Sequence, residues 1–88
     1  MTILRNGALM TPEGPMNADL RMDKGKIAEI APHIRPGGGE DVVDASGCWV
    51  CPGFIDGHTH LDLDTGATRT ADDFASGTRA AVCGGTTT

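Results

Sequence analysis

Apolar and polar residues alternate along the first part of the chain and stop alternating near its middle. Thr2-Ile3-Leu4-Arg5 reads as a strand closed by the turn signal Asn6-Gly7. Ala8-Leu9-Met10 resumes it before Thr11-Pro12-Glu13-Gly14-Pro15 breaks the pattern. Ala18-Asp19-Leu20-Arg21-Met22 alternates again, Asp23-Lys24-Gly25-Lys26 predicts a hairpin loop, and Ile27-Ala28-Glu29-Ile30 is the returning strand. Leu20 and Met22 then share a face with Ile27 or with Ile30, according to register. After the flexible Pro36-Gly37-Gly38-Gly39, two short strands, Val42-Val43-Asp44 and Cys48-Trp49-Val50, flank Ser46-Gly47. The pattern predicts an antiparallel meander.

From residue 52 the pattern changes. Phe54-Ile55 runs without alternation into Asp56-Gly57-His58-Thr59-His60, as expected of a strand covered on both faces. Side chains at i and i+2 of a strand point the same way, about 6.6–7 Å apart along the backbone. His58 and His60 can therefore tilt toward one point, and a divalent metal is a common occupant of such a point. Taken alone, the pair reads equally well as two strand-end histidines bonded to their neighbours. Asp56 has the same parity and reads as a structural acceptor. Asp62 to Arg69 is polar and reads as a loop, with Asp62 as a loop-anchoring carboxylate. Thr70 is the expected N-cap of a helix, with Asp73 reaching back to it. Phe74, Thr78, Ala81 and Val82 form its inner face, and Gly84-Gly85 ends it. Thr86-Thr87-Thr88 has the β-branched character of a following strand.

Composition narrows the function classes. The net charge of −5, with no basic cluster, disfavours nucleic acid and anionic membrane as partners. The N-terminus lacks a signal-peptide layout, so a cytoplasmic protein is expected. Three cysteines, an odd number, argue against a disulfide framework, and Cys48, Cys51 and Cys83 read as small packing residues. His33 reads as a surface residue. Gly84-Gly85 lacks the lysine or the glycine frame of a phosphate loop. One strand, one helix and the start of another strand form an open β-α-β unit, whose apolar faces need a partner layer. The chain therefore reads as the first piece of a longer protein.

Pro52-Gly53-Phe54-Ile55-Asp56-Gly57-His58-Thr59-His60 resembles the start of the barrel in the metal-dependent amidohydrolase superfamily. His58-Thr59-His60-Leu61-Asp62, Thr70-Ala71-Asp72-Asp73-Phe74, Gly77-Thr78-Arg79-Ala80-Ala81 and Gly84-Gly85-Thr86-Thr87-Thr88 follow in an order similar to the dihydropyrimidinase and hydantoinase branch. The resemblance implies an α/β fold. Residues 1–51 would form part of a small β-sandwich, and residues 52–88 the first βα unit of a distorted TIM (β/α)8 barrel, incomplete in this chain. It also implies that His58 and His60 are metal ligands, with two Zn2+ ions bridged by a carbamylated lysine beyond this chain. No catalytic acid or base is then expected within these residues. The implied reaction opens a dihydropyrimidine or 5-substituted hydantoin to an N-carbamoyl amino acid, in a homotetramer.

Dihydroorotases place an arginine two residues after the second histidine; Asp62 stands there and would repel a substrate carboxylate. Asp62, Leu63, Asp64 and Thr65 would border the pocket, in a loop more polar than the Pro-bearing loop usual in the branch. The alternatives are an allantoinase, a dihydroorotase-like enzyme or D-aminoacylase, or a non-catalytic oligomeric scaffold of the same fold. In every case the 88-residue piece is expected to be inactive without the rest of its polypeptide.

Overall fold

A computed structural model describes all of residues 1–88. The chain divides into two compact units, Met1–Cys51 and Pro52–Thr88. In the first, strands β1 (Thr2–Thr11), β2 (Gly14–Asp23), β3 (Lys26–Ala31), β4 (Asp41–Asp44) and β5 (Trp49–Val50) form one sheet. Its order is β3-β2-β1-β4, with β5 also on β1. The second unit contains one helix, α1 (Phe74–Cys83).

The sheet is mixed. β1, β2 and β3 are joined by hairpins and pair antiparallel, but β4 and β5 both run parallel to β1. The expected all-antiparallel meander is thus wrong beyond β3. Parallel neighbours need a crossover rather than a tight turn, and residues 32–40 supply it, returning the chain to the far side of β1. The turn between β2 and β3 falls where the sequence places it. Lys24 and Gly25 both have positive φ (48° and 75°), the signature of a two-residue type I′ hairpin.

Asn6-Gly7 is not a turn. β1 passes through it with a bulge between Leu4 and Gly7, and Asn6 takes a left-handed φ of 62°. One extra residue inverts the side-chain parity of the rest of the strand. Leu4, opposite Leu20, and Leu9, opposite Met16, therefore share a face despite their odd spacing. A second irregularity between Arg21 and Met22 pairs Leu20 with Ile30 and Met22 with Ile27. Both isoleucines thus meet the same face, where strict alternation admits one or the other.

Leu9, Ala18 and Leu20 form a buried cluster, with Leu4, Met22 and Val50 packed against it. Full burial of such a side chain contributes about 1.5–3 kcal/mol. Asp19, between Ala18 and Leu20, is also buried, at 1% exposure. Its Oδ1 accepts from the Asn6 N–H and its Oδ2 from the Ile34 N–H, each at 2.9 Å, and Arg5 Nε lies 3.7 Å from Oδ2. The carboxylate therefore holds the bulge of β1 and the start of the crossover. Arg21 pairs with Glu29 across the hairpin and lies 2.9 Å from Glu40, whose Oε2 accepts from the Gly37 N–H.

In the second unit the expected strand at Phe54-Ile55 reduces to a single parallel bridge between Phe54 and Thr86. The Phe54 N–H donates to the Gly85 carbonyl (2.8 Å), and the Thr87 N–H to the Phe54 carbonyl (2.9 Å). With only this one neighbour the segment is not covered, and Phe54 and Ile55 are exposed. The helix begins later than expected: Asp73, not Thr70, is the N-cap, with its carboxylate accepting from the Ser76 N–H at 2.7 Å. Thr70 is engaged elsewhere, its Oγ1 accepting from the Leu63 N–H. Gly84-Gly85 does end the helix. The Thr86 N–H bonds back to the Ala81 carbonyl (2.9 Å) and Gly85 has φ 89°.

Phe74 and Val82 are exposed rather than packed, and Gly77, against Leu61, is the buried helical residue. The cysteines are likewise exposed and free, because none lies on a covered face.

Candidate metal centre

The two histidines follow the Phe54 bridge as an irregular, exposed segment rather than as strand residues. The Asp56 carboxylate accepts from the His58 N–H at 3.1 Å, a turn-forming bond that fixes the backbone at the first histidine. Asp56 is anchored in turn, its own N–H donating to the Thr88 carbonyl at 2.7 Å. Thr59 and Leu61 line a hollow of about 210 Å³ with Gly77 and Ala81 of α1; neither histidine does. Asp56, of the same parity as the histidines, lines the hollow too, so strand alternation is not kept, and Leu61 on Gly77 seats the segment.

The imidazoles converge. His58 Nε2 and His60 Nε2 are 2.9 Å apart, with ring centroids 4.9 Å apart and planes at 74°. Either one ring N–H faces the other's lone pair, or both lone pairs face a shared cation. Two metal–nitrogen bonds of about 2.0–2.1 Å span about 2.9 Å at a right angle and about 3.4 Å at the tetrahedral angle. The observed 2.9 Å matches the right-angle span and is shorter than the tetrahedral one. No group of three or more His, Cys, Asp or Glu side chains is placed to complete that shell.

Asp62 turns the chain away from the histidines with a left-handed φ of 51°. Residues 62–70 then form a pinned arch. The Asp62 N–H donates to the Asp72 carbonyl, the Thr70 N–H to the Leu63 carbonyl and the Thr65 N–H to the Thr68 carbonyl. Asp64 bridges Arg69 antiparallel. Arg69 Nη1 lies 2.7 Å from Asp62 Oδ1, and Nη2 lies 3.8 Å from Asp64 Oδ2. Asp62 therefore anchors this loop, as its position suggests.

Sequence reasoning missed the Arg69 partner and the buried Asp19. An arginine facing two aspartates across a Gly-containing turn was the available signal for the first. Asp19 carried no signal beyond its place between two apolar residues.

No protein-family model matches the chain. It is 43% identical over 86 residues to a D-phenylhydantoinase of Escherichia coli strain SE11, a match covering 98% of this chain and 19% of that protein. A crystal structure of a D-hydantoinase superposes with a TM-score of 0.90 at 49% identity, over 98% of this chain and 18% of that one. The D-hydantoinase (dihydropyrimidinase) from Thermus sp. gives 0.90 at 36% identity, over 99% and 19%. The chain spans about a fifth of the length of the relatives it matches.

Proposed function

We propose that this chain, which belongs to the D-hydantoinase and dihydropyrimidinase branch of the amidohydrolase superfamily, supplies the first two metal ligands of an enzyme that hydrolyses cyclic amides. The observation that carries this reading is the convergence of His58 Nε2 and His60 Nε2 at 2.9 Å. In the full-length protein, residues 1–51 belong to a β-sandwich and residues 52–88 open a TIM barrel. The remaining ligands, a carbamylated lysine among them, would come from outside these residues and complete a site for two Zn2+ ions. The substrate is a neutral ring, a dihydropyrimidine or a 5-substituted hydantoin, and the assembly is a cytoplasmic homo-oligomer.

Within that centre each residue has a definable part. His58 and His60 each offer one imidazole lone pair to the same point. Asp56 orients the first of them through its backbone N–H, and Leu61 against Gly77 seats the second. Divalent ions held there supply Lewis-acid polarisation of the ring carbonyl and a source of hydroxide near neutral pH. Asp62 and Asp64 together outnumber Arg69, and the single negative charge left at the loop base disfavours a carboxylate-bearing ring and favours a neutral one.

The test is metal analysis and turnover of the full-length protein with His58→Ala and His60→Ala. Each variant is expected to bind less metal and to lose at least about 100-fold in kcat/KM for dihydrouracil or 5-phenylhydantoin, because loss of groups that merely support a ligand already costs about 10–100-fold. Wild-type metal content and activity in both variants would exclude the pair as ligands.

A further inference from the structure

We propose that Arg69 is a positioning residue that clamps the arch of residues 62–70 through Asp62 and Asp64, and that this clamp governs substrate affinity at the adjoining site. The substrate part rests on the hydrolase reading above; the clamp itself does not. The arch begins two residues after His60, and its first residue, Asp62, carries a left-handed φ of 51°. Asp tolerates that region better than most residues but still favours others. Two bonds hold it there: its N–H donates to the Asp72 carbonyl at 2.9 Å, and its carboxylate accepts from Arg69 at 2.7 Å. The same guanidinium reaches Asp64 at 3.8 Å, while Gly66 N–H donates to Asp64 Oδ1 and Thr68 N–H to Thr65 Oγ1. One cation thus pairs with both carboxylates of the arch, leaving a single net negative charge, and ties Asp62 at its base to the Asp64–Arg69 bridge.

Magnitude decides what such a clamp does. Arg69, Asp62 and Asp64 are 60%, 36% and 65% exposed at their side chains. Pairs this wet change populations by about 1.4- to 5-fold, not by orders of magnitude. Their contribution falls further as salt screens them. The backbone rungs hold the arch together without Arg69, and the clamp selects how often its base is closed beside His60. Loss of the clamp therefore weakens substrate binding more than it slows chemistry.

Hydrogen exchange and kinetics on the full-length, metal-loaded protein separate the two parts. Arg69→Gln is expected to speed amide exchange across residues 63–69 by about two- to fivefold. It should raise KM for 5-phenylhydantoin by a similar factor with kcat nearly unchanged and metal content intact. Arg69→Lys should recover part of the loss. Wild type in about 1 M salt, where the screening length is about 3 Å, should approach the Arg69→Gln values, which should themselves depend less on salt. Exchange and KM equal to wild type in Arg69→Gln would overturn the clamp, as would a fall in kcat accompanied by metal loss. Faster exchange in a protein that opens neither hydantoins nor dihydrouracil would leave the clamp standing and refute the hydrolase reading.

Discussion

The Asp19 carboxylate is almost wholly withdrawn from water, and its acceptor bonds go to backbone N–H groups that the sheet ladder does not use. The N–H of Asn6 is the main influence holding Asp19 below its ordinary value of 3.8, followed by the N–H of Ile34; burial opposes them and Arg5 adds to them. The Gly37 N–H, first, and Arg21 lower Glu40 from 4.5, and the Ser46 hydroxyl leads the lowering of Asp44. The folded state therefore gives up these protons at lower pH than the unfolded chain does. Their stabilisation is complete above the unfolded values and is lost as pH falls through the folded ones. Thermal melts followed by circular dichroism should show a midpoint that declines as pH drops below about 4.5. Asn at position 19 keeps one acceptor oxygen but turns an NH2 toward an N–H. Asp19→Asn is accordingly expected to lower the midpoint at neutral pH by several degrees and to flatten its acid dependence. A superimposable pH profile for the variant would remove Asp19 from this role.

Among the elements, the short parallel pairing of Phe54 with Thr86 depends on close approach. A Cβ built on Gly53 would lie 2.1 Å from Thr87 Oγ1 and 2.8 Å from Thr87 Cβ, so Thr87 and its backbone must yield. Gly38, in the crossover to β4, has no atom within 4 Å of such a Cβ. Chemical denaturation should find Gly53→Ala destabilised by about 1–3 kcal/mol. Gly38→Ala should be stabilised by about 0.4–1 kcal/mol through a less flexible unfolded chain. Similar losses in both would mean that the contact with Thr87 is not limiting. The end of α1 was legible because Gly84-Gly85 combines an apolar stop with left-handed freedom. Its start was not, since Thr70 and Asp73 both have cap chemistry, and the cap fell to the Asp73 carboxylate because the arch engages the Thr70 hydroxyl.

Across the molecule, each unit displays apolar side chains with no layer over them: Trp49, Ile27 and Val43 in the first, Phe54, Ile55 and Phe74 in the second. No helix is long and apolar enough to cross a membrane. Exposed apolar surface binds hydrophobic dyes. The isolated 88-residue chain is expected to bind the dye ANS strongly and to leave dihydrouracil intact. In the full-length protein dye binding should be low and Trp49 emission should shift to the blue. Turnover by the isolated chain would contradict the assignment of the remaining ligands to residues outside it.

Periodicity, turn chemistry and the ordered motifs around His58 and His60 were enough to place the β2–β3 hairpin, the stop of α1 and the kinship with hydantoinases. Each of these is written in a few adjacent residues. The parallel return of β4 and β5, the parity change at Asn6, the burial of Asp19 and the grip of Arg69 on Asp62 needed three dimensions. A bulge costs one residue in a sequence and looks like a turn, yet it reverses the facing of everything after it. Likewise, a charged residue in an alternating strand looks solvent-directed until distant N–H groups supply its partners.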